Sequence, residues 1–388
     1  MFSWLRRLFS GTSEPAQAPG ALRRAPREAS PVSQPATEWA SVGFGTQAIP
    51  VLRPLVPSPG TGAEAEPEMV PWVPRTAAFW SARRDAVLQE LIEAWRASPD
   101  AARWPDVDRL LDRLRQGPME MVRQLPAAAR AAMALCDDEY LPRKNLSDKL
   151  EKDPSLVSSL LKQANSSLIS AGLDNVVSVD GAIDRIGIGG TRAVVVATSI
   201  EGLLSKPGPP YEAIAQGIWT HMVATAPIAR VLAPAFGTGS DEAFATALLH
   251  DIGKLVVFDQ ISALRIKLRR AIELPAPWLM EALDRLHEPL GAIAIRQWGL
   301  GAEAADAIGM HHRRDRPLVD HALAEVLYLA EQLQHAERSG EPLDWTSTWR
   351  RGHLQADPDD CRGLLAALEA QIAATKGAKG GGGSRGVA

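Results

Sequence analysis

From Ala77 to about Ala336 the apolar positions of the chain recur with the period of an α-helix. Val87, Leu88, Leu91, Ile92 and Trp95 fall at the i, i+1, i+4, i+5, i+8 spacing that gathers side chains on one stripe of a helix. Val107, Leu110, Leu111 and Leu114 repeat the stripe after Trp104-Pro105, where the proline ends one helix and can open the next. These two helices predict an N-terminal helical extension over 76–120, packed on a larger domain over 121–337. In that domain Asp153 supplies a capping carboxylate and Pro154 a first helical residue, ahead of Leu156, Val157, Leu160 and Leu161. Ser178 caps a helix with Val179, Ala182, Ile183 and Ile186 as its buried stripe and Gly187 as its stop. The valine run within 193–197 reads as buried helix, because its neighbours are helical and strand signals are nearly absent. The predicted class is all-α.

The ends read differently. From Gly11 to about Pro74 the chain is Pro, Ala, Gly, Ser and Thr without sustained period, too poor in apolar surface to offset the entropy of ordering. Residues 1–75 are therefore expected to be disordered. At the very start Phe2, Leu5, Leu8 and Phe9 can line one face of a short helix with Arg6 and Arg7 opposite, suited to a membrane surface or a partner. Plain disorder is the alternative for residues 2–9, since so short a helix is marginal in water. A C-terminal helical segment is expected over 338–374 and a flexible glycine-rich tail over 375–388.

Composition narrows the function. The formal net charge is −4 and the two signs are interleaved, which leaves no electrostatic footprint for nucleic acid. Cys136 and Cys361 form no CxxC pair, which argues against a disulfide framework or thiolate zinc site and suits a reducing cytoplasm. No apolar run reaches the roughly 18–20 residues of a membrane span, and the first residues lack a signal peptide's apolar core. A cytoplasmic protein is expected. Gly187-Ile188-Gly189-Gly190 has no preceding strand and no following Gly-Lys, so it reads as a connector between helices and not as a nucleotide loop. Trp72, Trp80, Trp95 and Trp104, without a basic groove beside them, read as core or interdomain anchors.

The candidate chemistry centres on the adjacent pair His250 and Asp251, followed by Lys254. Adjacent side chains on a helix diverge by about 100°, so a metal shared by both requires other helices to complete its shell. His221, His287, His311 and His312 are the candidates for that shell. Neutral imidazoles with a carboxylate suit zinc, iron or manganese, and such sites activate water for attack on phosphorus. The bland alternatives are a hydrogen-bonded polar pair at His250-Asp251, a close helix approach at His287 with Gly291, and a helix-end interaction of His311-His312. Lys254 pairs with Asp251 or holds a phosphate oxygen.

Several separated pieces resemble the HDOD domain, a regulatory relative of the HD phosphohydrolases and HD-GYP phosphodiesterases. They are Leu125-Pro126, Asp153-Pro154-Ser155-Leu156 with Ala164-Asn165-Ser166, Ser178-Val179 to Ile186-Gly187, and Trp219-Thr220-His221. His250-Asp251-Ile252-Gly253-Lys254, His287 with Gly291, Trp298-Gly299-Leu300 and His311-His312 follow in family order. The resemblance, over about 124–335, implies an N-terminal helical subdomain plus an HD-like bundle, and a bacterial signalling role through protein–protein contacts. It implies signalling proteins as partners and leaves homo-oligomerisation and nucleotide binding open. By position His221, His250, Asp251, His287, His311 and His312 resemble the metal-binding set of the related phosphodiesterases, with Glu331 where HD enzymes carry a last aspartate. Nothing after His312 resembles the Gly-Tyr-Pro signature. The alternative function is a metal-dependent phosphohydrolase or phosphodiesterase, for which Asp251 and Lys254 are the catalytic candidates.

Overall fold

The computed structural model describes residues 69–125, 130, 131, 133, 134, 143–203, 207–314 and 318–381. The amphipathic stretch at 2–9, the segment 11–68, Pro126, Cys136 and the last tail residues lie outside the described residues.

The architecture is helical, as the periodicity requires. Strand β1 (Met69–Pro71) leads into α1 (Ala77–Ala97), α2 (Pro105–Leu114) and the short α3 (Pro118–Met121). A first lobe holds α4 (Arg143–Leu150), α5 (Pro154–Ala164), the short α6 (Ser167–Ser170) and the long α7 (Val179–Leu203). The bundle continues with α8 (Tyr211–Leu232), α9 (Ser240–Leu249), α10 (Ile252–Leu268), α11 (Ala276–Gln297) and α12 (Ala302–Gly309). Strand β2 (Leu318–Asp320) precedes α13 (Ala322–Ser339), α14 (Trp345–Gly352) and α15 (Pro358–Gly381). No helix among the described residues is long and apolar enough to cross a membrane.

Local chemistry sets the element ends. The Asp153 side chain accepts from the amides of Ser155 and Leu156, and Pro154 opens α5 where its missing N–H costs nothing. Ser178 accepts from the amide of Gly181 at 3.1 Å. Gly187 breaks α7 with φ 83° and ψ 167°, a conformation that only glycine adopts cheaply, so the Gly-rich stretch is a kink between two helical halves. The 193–197 run is helical and buried.

Three features depart from expectation. Residues 69–75 belong to the folded unit: β1 pairs in parallel with β2, Met69 opposite Leu318 and Pro71 opposite Asp320. Beyond the strand, Trp72 Nε1 and the Arg75 amide donate to Asp306 Oδ2 at 3.1 and 2.7 Å, and Trp80 Nε1 donates to Asp306 Oδ1 at 2.8 Å. A three-residue strand whose partner lies far along the chain leaves no periodic trace, and the tryptophans act as anchors on a buried carboxylate. At the other end α15 runs to Gly381, past the expected start of the tail. The third is the strand pair itself, too short to alter the all-α class.

The extension docks on the bundle through polar as well as apolar contacts. Trp80, Leu88, Leu91, Ile92 and Trp95 of α1 are buried. Asp106 of α2 accepts from Arg270 at 2.6 and 2.7 Å, and Arg113 donates to Gln260 of α10 at 2.8 and 3.0 Å.

Candidate metal centre

Three helices and two helix ends supply the site. His221 projects from α8, His287 from α11, and Glu331 from α13. His250 and Asp251 do not sit on one continuous helix: α9 ends at Leu249 and α10 begins at Ile252, with Asp251 at φ −97° and ψ 12° between them. This turn brings His250 Nε2 to 3.7 Å from Asp251 Oδ2, which a straight helix would not. His311 and His312 occupy the turn that ends α12. Close backbone packing holds the halves together. A Cβ on Gly253 would lie 2.0 Å from the His287 carbonyl oxygen and 2.7 Å from the Gly291 amide nitrogen, so α10 and α11 meet at this depth only with glycine present.

All seven sequence-identified positions converge, together with Lys254. His221 Nε2 lies 3.1 Å from His250 Nε2, 4.0 Å from Asp251 Oδ2 and 3.7 Å from Glu331 Oε1. His287 Nε2 lies 2.9 Å from His312 Nε2 and 3.8 Å from Asp251 Oδ1. Glu331 Oε2 lies 4.0 Å from His311 Nε2 and 3.5 Å from His312 Nδ1. The glutamate in place of an aspartate therefore remains among the imidazoles. Lys254 Nζ donates to Asp251 Oδ2 at 2.7 Å, the pairing expected from their spacing.

The ring hydrogens follow from the partners. Nδ1 of His250, His287 and His311 faces the main-chain carbonyls of Ala247, Leu283 and Ile308 at 2.7, 2.9 and 2.7 Å. A carbonyl only accepts, so each Nδ1 carries the hydrogen and each Nε2 is bare. His221 Nδ1 faces the side-chain carboxamide of Gln334, with Oε1 at 2.7 Å, and carries the hydrogen while that oxygen points inward. Burial favours the neutral rings: it pushes His250 down to about 4 and drives His287 and His312 well below the ordinary imidazole range. For Asp251 burial acts upward, but Lys254 and then the surrounding imidazoles outweigh it and hold the carboxyl well below its usual value. Glu331 is held low in the same way, burial being outweighed by His312 and the other imidazoles.

This arrangement fits a divalent cation. Two ligands about 2.1 Å from one ion are separated by roughly 3.0 Å when cis and about 4.2 Å when trans. The nitrogen–nitrogen and nitrogen–oxygen separations above, 2.9 to 4.0 Å, fall within or close to that interval. Asp251 Oδ1, His311 Nε2 and Glu331 Oε2 are buried and have no hydrogen-bond partner, as donor atoms reserved for an ion would be. Groups able to hold an ion are His221, His250 and Asp251; His250, His311 and Glu331; His287, His311 and His312; and His221, Glu331 and His335.

Sequence reasoning missed three residues. Gln334 orients His221, His335 stacks on the His221 ring with centroids 5.5 Å apart, and Glu288 accepts from the His312 amide at 3.1 Å. Gln334 and His335 follow Glu331 at i+3 and i+4, a helical spacing that carries their signal. Glu288, directly after His287, is buried, and burial raises its carboxyl above the ordinary range.

The comparisons agree with the architecture. No curated protein matches the chain. Among solved structures, a Shewanella amazonensis protein described by name only as a metal-dependent phosphohydrolase is 17% identical, with 76% of this chain and 99% of that chain covered at TM-score 0.51. A second protein from that organism, named as a phosphohydrolase, is 23% identical, with 69% and 96% covered at TM-score 0.49. An HDOD domain protein of unknown function from Geobacter sulfurreducens is 21% identical, with 67% and 94% covered at TM-score 0.43. At 17% identity the likeness to the first of these is one of fold. Residues 122–314 match the HDOD domain model, and the chain carries an HDOD domain.

Proposed function

We propose that this chain is a signalling or regulatory protein whose HDOD domain holds a divalent cation in the His221–Glu331 cluster and acts through protein contacts. The observation that carries the reading is the set of three imidazoles, His250, His287 and His311, with Nδ1 hydrogens committed to main-chain carbonyl oxygens and bare Nε2 atoms beside two ionised carboxylates. Neutral imidazoles and carboxylates suit iron, manganese or zinc. His221, His250, Asp251, His287, His311, His312 and Glu331 are the residues that would hold it. A cation bound there supplies Lewis acidity and fixed positive charge. Asp251 and Glu331 balance that charge, and Lys254 fixes the orientation of Asp251.

Burial favours binding over turnover. His221, His250, Asp251, His287, His311 and Glu331 are 0–7% exposed, whereas catalytic metal sites keep an open position for substrate. The regulatory use implied by the family resemblance points the same way. One observation favours the phosphohydrolase reading instead: Lys254 is a buried cation beside Asp251, where a phosphate oxygen can be held.

Metal content of the purified full chain, followed by a phosphodiesterase and phosphatase assay with added manganese or iron, separates the two. The expected result is stoichiometric metal that is lost in Asp251→Ala, without hydrolysis. Hydrolysis abolished by Asp251→Ala replaces regulation by catalysis. Absence of metal uptake sinks both.

A further inference from the structure

We infer that Gln334 is a tautomer selector for His221: turning its carboxamide converts the cluster between a metal-free and a metal-holding form. The inference rests on the metal-binding reading above and concerns a residue outside the ligand set.

His221 differs from the other buried imidazoles in what its Nδ1 touches. His250, His287 and His311 face main-chain carbonyls, which belong to their own helices and cannot turn. Their hydrogens stay on Nδ1. His221 Nδ1 faces a side chain, Gln334 Oε1 at 2.7 Å, and a carboxamide presents an acceptor and a donor in nearly the same shape. Half a turn about its last torsion exchanges them.

The two positions have opposite consequences across the 3.1 Å contact between His221 Nε2 and His250 Nε2. With the amide oxygen inward, the His221 hydrogen is on Nδ1, and two bare nitrogens face each other at hydrogen-bond distance. Both rings are buried, at 7% and 1% exposure, so bulk water does not separate them. A cation bound by both removes the repulsion. With the amide nitrogen inward, its N–H donates to a bare Nδ1, and the His221 hydrogen sits on Nε2 and donates to His250 Nε2 as an ordinary N–H···N bond. His250 cannot make this adjustment, because the Ala247 carbonyl holds its hydrogen. The two forms carry the same number of hydrogens: one leaves one ring nitrogen and one returns to the other. Gln334 lies one helical turn after Glu331, so α13 supplies both a candidate ligand and the selector.

The geometry distinguishes Gln334 from a residue that merely packs. A glutamate at 334 only accepts and fixes His221 in the metal-ready tautomer. A leucine at 334 selects neither tautomer. The test uses the full chain with nitrogen-15 histidine, zinc as a diamagnetic probe, and long-range nitrogen–proton NMR, with His221 identified by its loss in His221→Gln. The wild type is expected to carry the hydrogen on Nε2 without zinc and on Nδ1 with zinc. Gln334→Glu should carry it on Nδ1 in both conditions and bind zinc at least as tightly. Gln334→Leu should bind zinc about 10–100-fold more weakly, the loss typical when a partner that orients a ligand is removed. A metal-free wild type with the hydrogen already on Nδ1 overturns the selector while leaving metal binding intact. So does Gln334→Glu with the hydrogen on Nε2. Failure of the wild type to take up zinc overturns the metal reading and the selector together.

Discussion

Replacing Gly253 by alanine places a methyl carbon 2.0 Å from the carbonyl oxygen of His287 and 2.7 Å from the amide nitrogen of Gly291. Both atoms belong to the backbone of α11 and cannot rotate away. Real Cβ contacts stay beyond 3.0 Å, so α10 and α11 must part by about 1 Å. Overpacking of this kind costs about 3 kcal/mol when no side chain can yield. In a domain of this size that lowers Tm by roughly 6–12 °C. The same movement carries His287 away from Asp251, whose Oδ1 lies 3.8 Å from its Nε2, so zinc affinity should fall about tenfold or more. Thermal unfolding by circular dichroism and zinc competition with a chelating dye measure the two effects. Gly363 is the control: it lies in α15 with nothing within 4 Å of its added Cβ, and alanine there should stabilise by up to about 1 kcal/mol through helix propensity. A Gly253→Ala protein that unfolds with the wild type and binds zinc equally refutes the close-approach reasoning.

Three further outcomes follow from the geometry. Asp306→Ala removes the acceptor of Trp72, the Arg75 amide and Trp80, at a cost of roughly 3–5 kcal/mol for breaking a buried charged network; trypsin should cut near Arg75 faster than in the wild type, and an unchanged rate would show that the strap is held elsewhere. Glu331→Gln removes the carboxylate that lies 3.5 to 4.0 Å from four imidazoles, and zinc affinity is expected to fall by about 100-fold in the dye competition. His321 is pushed down to about 4 by burial, against an unfolded value near 6.5. Its folded pKa lies below its unfolded one, so its contribution is intact above about pH 6.5 and is lost as pH falls toward 4. Urea unfolding at about pH 7 and about pH 5 should show the wild type losing roughly 2 kcal/mol more than His321→Phe; equal losses would remove His321 from the account.

What the sequence alone determined was local. The Asp153 and Ser178 caps, the Gly187 interruption, the helical valine run and the apolar stripes of α1 and α2 depend on neighbours within about one or two turns, and periodicity and capping chemistry report those directly. The ligand types were also legible, because His250-Asp251, His287 and His311-His312 stand in family order. Tertiary structure decided the rest. His221 and Gln334 are 113 positions apart, and only the packing of α8 against α13 makes them partners. The seating of residues 69–75 depends on β2 and Asp306, far along the chain, so a stretch poor in apolar period still orders. The break between α9 and α10, which lets His250 and Asp251 face one space, lies beside the close approach of α11 over Gly253. Helix periodicity reports which face of a helix is buried; which faces meet, and which hydrogen each imidazole keeps, depend on atoms brought together only by the fold.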